Sequence, residues 1–519
     1  MKHVVRSLIL LIVIGPTAAP VFAAELRATG FFDNVFPHFE HNVSGQNGDN
    51  DTTRAHDNET WGRTRFRGFF NFIASDDLRG VLALEIDQVY GAPASNPVGS
   101  ACVTSTGTYA FEQCGFRNGI DNNAIEVKHL YVDFRIPQIP IGNRTQLGGL
   151  PFNLTPLHSG LLYNMDAGGG LLRLDFTDQV SALTYYVQLE EDVDRFPTSP
   201  KVGEDYLTGA TLMVKPISGL DLHLLGVYFH GQAPFGPSLT GSGGPFDNVA
   251  SDSLNVTTES RYYLGFDSRY RIGNTSIEPN FIYLLGTRNF NASSAAVTGI
   301  THTNYNAFQT SIAVLHTLGP WLFGGKFAYS SGDDANDNLN NTQFGNRSDV
   351  NGFRTLGNDG FHYFGEWFEI LGRSDVDGNS IQTFRRQGEV GKLDRFGWIM
   401  LGGKAEYKYT DSLTLEGAAG GFWTAEKTAC PATFRVGSLS GPCTGTGSPL
   451  NSSGEPTLNF TRNSRFVGWE VDAGVRYTIM PGLTWTPRMG YAGYGSALAA
   501  NNRGQQGAWT LSNRLIYIF

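Results

Sequence analysis

The rhythm of its separators constrains this chain more than any other feature. Segments of roughly 9–15 residues, alternating with period 2 and rich in aromatic and branched side chains, read as strands. Short breaks lie between some of them, as at Ser75-Asp76-Asp77, Gly273-Asn274, Gly319-Pro320, Asp411-Ser412 and Met480-Pro481-Gly482. These alternate with long polar stretches near 42–59, 91–122, 152–170, 192–204, 230–258, 288–304, 332–395, 426–464 and 495–506. Nine long connections and eight short turns predict eighteen strands. An even count brings both chain ends to the same side.

Short turns on one rim and long loops on the other are the organisation of a transmembrane antiparallel β-barrel of the outer-membrane type. Hydrocarbon offers no partner to backbone N–H and C=O groups, so a sheet crossing a membrane must close on itself. A soluble β-sandwich or β-helix is the competing reading. It predicts neither the long-short alternation nor an aromatic content of 13%. Charged residues, at 17%, fall below the ~25% of soluble domains, and 64 glycines in 519 residues exceed the ~7% norm. Tyr407, Tyr409, Tyr477 and Trp485 fall near strand ends, where interfacial girdles are expected. A formal charge of −10 gives no support to nucleic-acid binding.

Residues 1–23 read as a secretory signal. Lys2 and Arg6 supply a basic start, Leu8 to Ile14 an apolar core, and Val21-Phe22-Ala23 a cleavage site. That core is shorter than the ~20 residues a spanning helix needs, and no later apolar run reaches that length. Residues 24–519 are therefore expected to form a single outer-membrane barrel domain. Loss of Lys2 and Arg6 makes its charge more negative than the −10 of the whole chain. The first strand starts close to the mature N-terminus, which leaves no room for the plug domain of an active receptor. Cys102 and Cys114 share one polar segment, and Cys430 and Cys443 share another. Two local disulfides are the expected pairing, each worth roughly 3 kcal/mol in the loop-entropy account. No histidine adjoins either pair, so no metal site is expected there.

Strand parity assigns sides. In the segment 60–74, Phe66, Gly68, Phe70 and Phe72 share one face while Arg63, Arg65 and Arg67 share the other. Lipid-facing Arg at the midplane costs about 2–4 kcal/mol, so the Arg row must point inward. The next strand places Leu82, Leu84 and Ile86 outward and Glu85 and Asp87 inward. The same parity puts Asp133, Arg261, Asp267, Arg269, Arg271, Glu278, Lys404, Lys408, Glu470, Asp472 and Arg476 inside as pore-lining candidates. Bases outnumber acids on this wall although the chain as a whole is acidic, and the surplus acids fall in the loops. A basic wall favours anions. The plainer reading is that lumen charges pair across strands and keep the interior wet. In 123–136 the apolar parity flips between Val127 and Leu130, which a bulge near His129 or a different strand start would explain equally well.

Two loops are candidates for narrowing the lumen. Residues 152–170 carry His158, Tyr163, Asp166 and Gly168-Gly169-Gly170. Residues 332–395 carry an aromatic run from Phe361 to Phe368, which is costly to leave in water and is expected to pack in the mouth. The acidic stretch from Asp333 to Asn338 reads as a solvated loop, lacking the twelve-position calcium pattern.

Ser331-Gly332-Asp333 closing a strand, the acidic loop, and then Phe361-His362-Tyr363-Phe364-Gly365 resemble the alginate-export type of eighteen-stranded barrel. That resemblance implies a basic lumen conducting an anionic polysaccharide. The acidic positions Glu85, Asp87, Glu470 and Asp472 depart from it. By architecture the chain is also similar to eighteen-stranded substrate-specific porins. The final strand, with Trp509, Leu511, Leu515, Tyr517 and terminal Phe519 on one face, resembles the signal read by the barrel-assembly machinery of Gram-negative bacteria.

The function expected is a porin: a water-filled channel for passive diffusion of small hydrophilic solutes, anions favoured, with no cofactor. Lipid and lipopolysaccharide are the expected surroundings. Trimers are common among porins, though no segment here marks such an interface. An outer-membrane lipid hydrolase is the enzymatic alternative, but the histidines form no recognisable constellation with a serine. A sheath around a partner such as a multihaem cytochrome is a third reading, any haem then belonging to the partner.

Overall fold

The computed structural model describes residues 24–40, 59–60, 62–90, 125–158, 160–191, 204–231, 256–290, 301–332, 349–353, 355–356, 367–372, 397–427, 434–436, 439–441, 464–495 and 507–519. Eighteen barrel strands run through them, beside four strands of two or three residues: β1 (Glu25–Glu40), β2 (Gly62–Ser75), β3 (Leu78–Tyr90), β4 (Glu126–Phe134), β5 (Gly142–Asn153) and β6 (Asn164–Thr177). Next come β7 (Val180–Glu191), β8 (Glu204–Val214), β9 (Leu220–Gly231), β10 (Val256–Ile272), β11 (Thr275–Phe290) and β12 (His302–Leu318). The last are β13 (Trp321–Ser330), β14 (Trp398–Lys408), β15 (Leu413–Trp423), β16 (Phe466–Met480), β17 (Leu483–Tyr494) and β18 (Gly507–Ile518).

Each strand pairs antiparallel with its sequence neighbour, and β18 pairs with β1 over ten residues from Phe31↔Ile518 to Glu40↔Trp509. The sheet is thus a closed eighteen-stranded antiparallel barrel. Closure leaves no edge with unpaired backbone groups. Among the described residues no helix is long and apolar enough to cross a membrane; a barrel crosses with strands instead.

The two rims differ as the separators foretell. Gly273 (φ 55°) and Gly319 (φ 57°) adopt the left-handed backbone of tight hairpins, with open space where a Cβ would lie. At these turns it is the backbone conformation that calls for glycine. The side chains sort by parity. Leu264, Leu401 and Met489 stand on the outside, each more than half exposed. On the turn-side rim Trp321 packs on Tyr407 with ring centroids 4.5 Å apart, and Tyr409, Tyr477 and Trp485 are outward there too. Farther from the turns a second aromatic row crosses β7 to β10 through Tyr186, Tyr206, Tyr228 and Tyr262. Two aromatic bands around an apolar wall suit a bilayer and its two interfaces.

The flip in β4 is a bulge. Ala83 pairs with His129 and Leu84 with Val127, so Lys128 is the extra residue. That single insertion keeps Ile125, Val127, Leu130 and Val132 all outward. The glycine run 168–170 lies in β6 rather than in the loop expected there: Gly168 pairs with Gly149 and Gly169 with Gly148. Composition suggests a loop, yet close packing requires glycine at Gly169, where a Cβ would run into the backbone carbonyl oxygen of Tyr186.

Candidate functional site

The inner wall divides into arcs. On β18 and β1–β4 it is a ladder of opposed charges set by register, with Arg65 facing Asp87 and Arg67 facing Glu85. Arg65 holds Asp87 at 2.5 Å and lies 3.3 Å from Glu85, while Arg67 Nε donates to Glu85 Oε2 at 2.6 Å. Asp33, on β1, accepts from Arg63 at 3.2 Å and from Arg514 at 2.8 Å. The bulge turns Lys128 inward as well, 2.6 Å from Asp166, and His129 lies 2.8 Å from the same carboxylate. Arg65, Arg67 and Arg514 keep part of their surface open to the interior, whereas Arg63 is fully buried.

Two segments fold inward onto the remaining arcs, and Phe353 and Leu356 pack beside the first of them, the Leu356 amide donating to Leu162 O at 3.0 Å. The connection between β5 and β6 carries Leu154, Leu161, Leu162 and Tyr163 into an apolar cluster with Leu207, Val227, Tyr263, Ile282, Tyr305 and their neighbours on β5–β12. Its turn is closed by His158 N donating to Thr155 O at 3.0 Å, and Gln309 Nε2 donates to Leu161 O at 2.7 Å. Charged wall residues hold its tip. Asp267 Oδ2 accepts from the amides of Leu157 and His158 at 3.1 and 3.3 Å, and its other oxygen meets His158 Nδ1. His158 Nε2 lies 3.2 Å from Glu278, and Arg269 reaches back to Leu157 O at 3.0 Å. Burial alone lowers the His158 pKa, but the Asp267 and Glu278 carboxylates outweigh it and hold the ring above the ordinary histidine value.

The segment 367–372 covers the other arc. Phe368, Ile370 and Leu371 pack with Met400, Phe422, Val467, Ala492 and Ala508 from β14–β18. Phe368 lies over Gly402 and Gly420, where a Cβ would come within 2.6 and 2.5 Å of its ring. Glu470 accepts from the amides of Ile370 and Leu371 at 2.6 and 2.5 Å. Trp367 sits between Lys326 and Lys404, 5.6 and 5.2 Å from the ring centroid. Toward the short turns a second ladder runs Lys404, Glu406, Arg476, Glu416, Arg488 and Glu369, with contacts of 2.7 to 3.1 Å. Neither apolar cluster contains a described residue of β1–β3.

The parity-derived residues thus fall into three sets. Arg65, Arg67, Glu85, Asp87, Arg269, Lys404 and Arg476 take part in the ladders or the tip contacts. Arg271 and Lys408 stand at the turn-side rim, both more than half exposed and paired with Asp221 and Asp411. Arg63, Arg261, Asp267, Glu470 and Asp472 point inward but are buried beneath other side chains or the infolded segments. Arg261 lies between the Phe229 and Tyr305 rings and pairs with Glu259, so it packs within the first cluster.

Sequence reasoning did not single out Asp33, Lys128, Glu369 or Trp367 as site residues. Asp33 was open to the midplane argument applied to the arginines. Inward Gly402 and Gly420 were a signal for the seat of Phe368. The four cysteines, residues 1–23, Asp333, and 361–365 lie outside the described residues. Among the described residues no cluster of His, Cys, Asp or Glu is arranged to hold a metal.

No protein-family model matches the sequence, and no curated protein matches it either. Among solved structures, Pseudomonas aeruginosa OccK11 (OpdR) is similar, with 12% identity over 95% of this chain and 96% of its own and a TM-score of 0.47. Acinetobacter baumannii OccAB1 shares 10% identity over 97% of this chain and 99% of its own, at 0.49. Pseudomonas aeruginosa OpdK, crystallised with vanillate, shares 9% over 95% and 98%, at 0.46. The strand pairings, rather than these likenesses, establish the architecture.

Proposed function

We propose that the chain forms a channel in the outer membrane of a Gram-negative bacterium, through which small hydrophilic solutes diffuse passively with anions favoured. One observation carries this reading: a closed barrel with an apolar, aromatic-banded exterior encloses the Arg65–Arg67 ladder, which only a wet interior can accommodate. Arginine is attractive to carboxylate and phosphate solutes because its planar fork offers paired donors. Each arginine already has an acidic partner, so selection is by local field and exchange of partners rather than by free charge.

The two infolded segments favour a solute channel over a duct for a polymer or a sheath for another protein, since they occupy interior space on both covered arcs. The test is conductance of the purified protein in planar bilayers, with reversal potentials under a salt gradient. Ohmic openings with anion preference are expected. Cation preference defeats the anion reading, and absence of conductance defeats the channel.

A further inference from the structure

A neutral imidazole has one N–H and one lone pair, whereas ionised carboxylates only accept. The His158 ring has a carboxylate at each nitrogen, Asp267 at Nδ1 and Glu278 at Nε2. Both contacts are hydrogen bonds only when the ring carries both protons. The other charged groups around it, among the described residues, are already engaged or stand behind these two. Arg269 on β10 donates to Glu278 Oε1 at 2.7 Å, and Ser276 donates to the same oxygen at 2.8 Å. His223 on β9 is the cross-strand neighbour of Asp267. The Glu278 oxygen facing His158 is not the one that Arg269 and Ser276 occupy.

Resting on the channel reading above, we propose that His158 is a pH-responsive lock: as an imidazolium it ties the tip of the connection, Leu157-His158, to β10 and β11, and loss of its proton loosens that tip and widens the passage. The sign follows from the contacts. A histidine raised above its ordinary pKa keeps its proton to higher pH than a free imidazole, so the lock is complete below the ordinary value and fails as pH rises through the raised one. The neutral ring then turns a lone pair toward one carboxylate. The two amide bonds to Asp267 persist but lose the charge that pins the ring.

Single-channel recordings of wild type and His158→Gln, from about pH 6 to pH 10 so as to bracket the raised histidine value, test this. Wild type should hold one conductance at the acidic end of this range and step to a larger one as pH rises, while His158→Gln, which cannot titrate, should lose the step. A flat wild-type profile, or the same step in His158→Gln, overturns the lock. Heat-dependent gel mobility checks that the variant folds. If it does not, Glu278→Gln replaces it and should move the step to lower pH; an unmoved step counts against the lock. Imidazole ¹⁵N spectra of the detergent-folded wild type read the ring without conduction, with the His158 signal assigned by its loss in the variant. A ring still doubly protonated at about pH 6 is expected, and a neutral tautomer there overturns the proposal. Should wild type conduct at no pH, the channel reading fails and the spectra alone decide the lock.

Discussion

At the scale of single residues, three arginines in one inward row have different jobs. Arg63 is fully buried against Asp33, which Arg514 also serves, whereas Arg65 and Arg67 stand at the water. Breaking a buried pair costs about 3–5 kcal/mol, and the remaining Arg514 contact keeps Arg63→Ala at the low end, about 3 kcal/mol. Urea unfolding of the barrel in detergent should show that loss. An unchanged midpoint would mean that the Asp33–Arg63 pair contributes nothing. The Arg65→Ala/Arg67→Ala double variant should instead keep its stability within about 1 kcal/mol, as expected for partly exposed pairs. Its reversal potential should move toward cations, and an unmoved potential removes these two side chains from selection. Parity made the direction of all three legible in the sequence, because lipid admits no alternative. It did not reveal which of them the fold then covers, since cover comes from segments far away in the chain.

At the scale of elements, each infolded segment is held by an acid on the wall that accepts two successive backbone amides: Asp267 for one, Glu470 for the other. Neither acid faces open water, so the expectation that they line the pore gives way to a positioning role. A buried carboxylate must have donors, and two amides at the turn of a segment supply them. Glu470→Ala removes two hydrogen bonds from backbone amides, worth about 0.5–1.5 kcal/mol each. Release of 367–372 should follow, seen as larger and noisier openings with the barrel still folded; unchanged openings would show that the Phe368 contacts alone hold the segment. Sequence reasoning named both segments as candidates but could not choose between them, and the structure uses both. It found the β4 bulge within one residue because the apolar parity records it, at Lys128 rather than His129. It misplaced Gly168-Gly169-Gly170 because close approach between neighbouring strands and a flexible loop leave the same glycine signature.

At the scale of the whole molecule, strand number was the most legible property, since eight turns and nine long connections can be counted without knowing any contact. The seam was less so. The final residue completes it: Gly30 and Phe519 exchange backbone hydrogen bonds at 3.0 Å, and the Phe519 ring lies over Gly30 beside Phe32. Deleting Phe519 should lower the yield of heat-resistant folded barrel when refolding into lipid vesicles is followed by gel mobility. An undiminished yield would make the terminal ring dispensable for assembly. Because the pair that shuts the cylinder joins Asp33 to Arg514, 481 positions away, no partial chain emerging during synthesis can settle into its final shape. Pairings this distant in the chain are slow to form and leave strand edges open meanwhile, so closure of the seam is expected to limit folding.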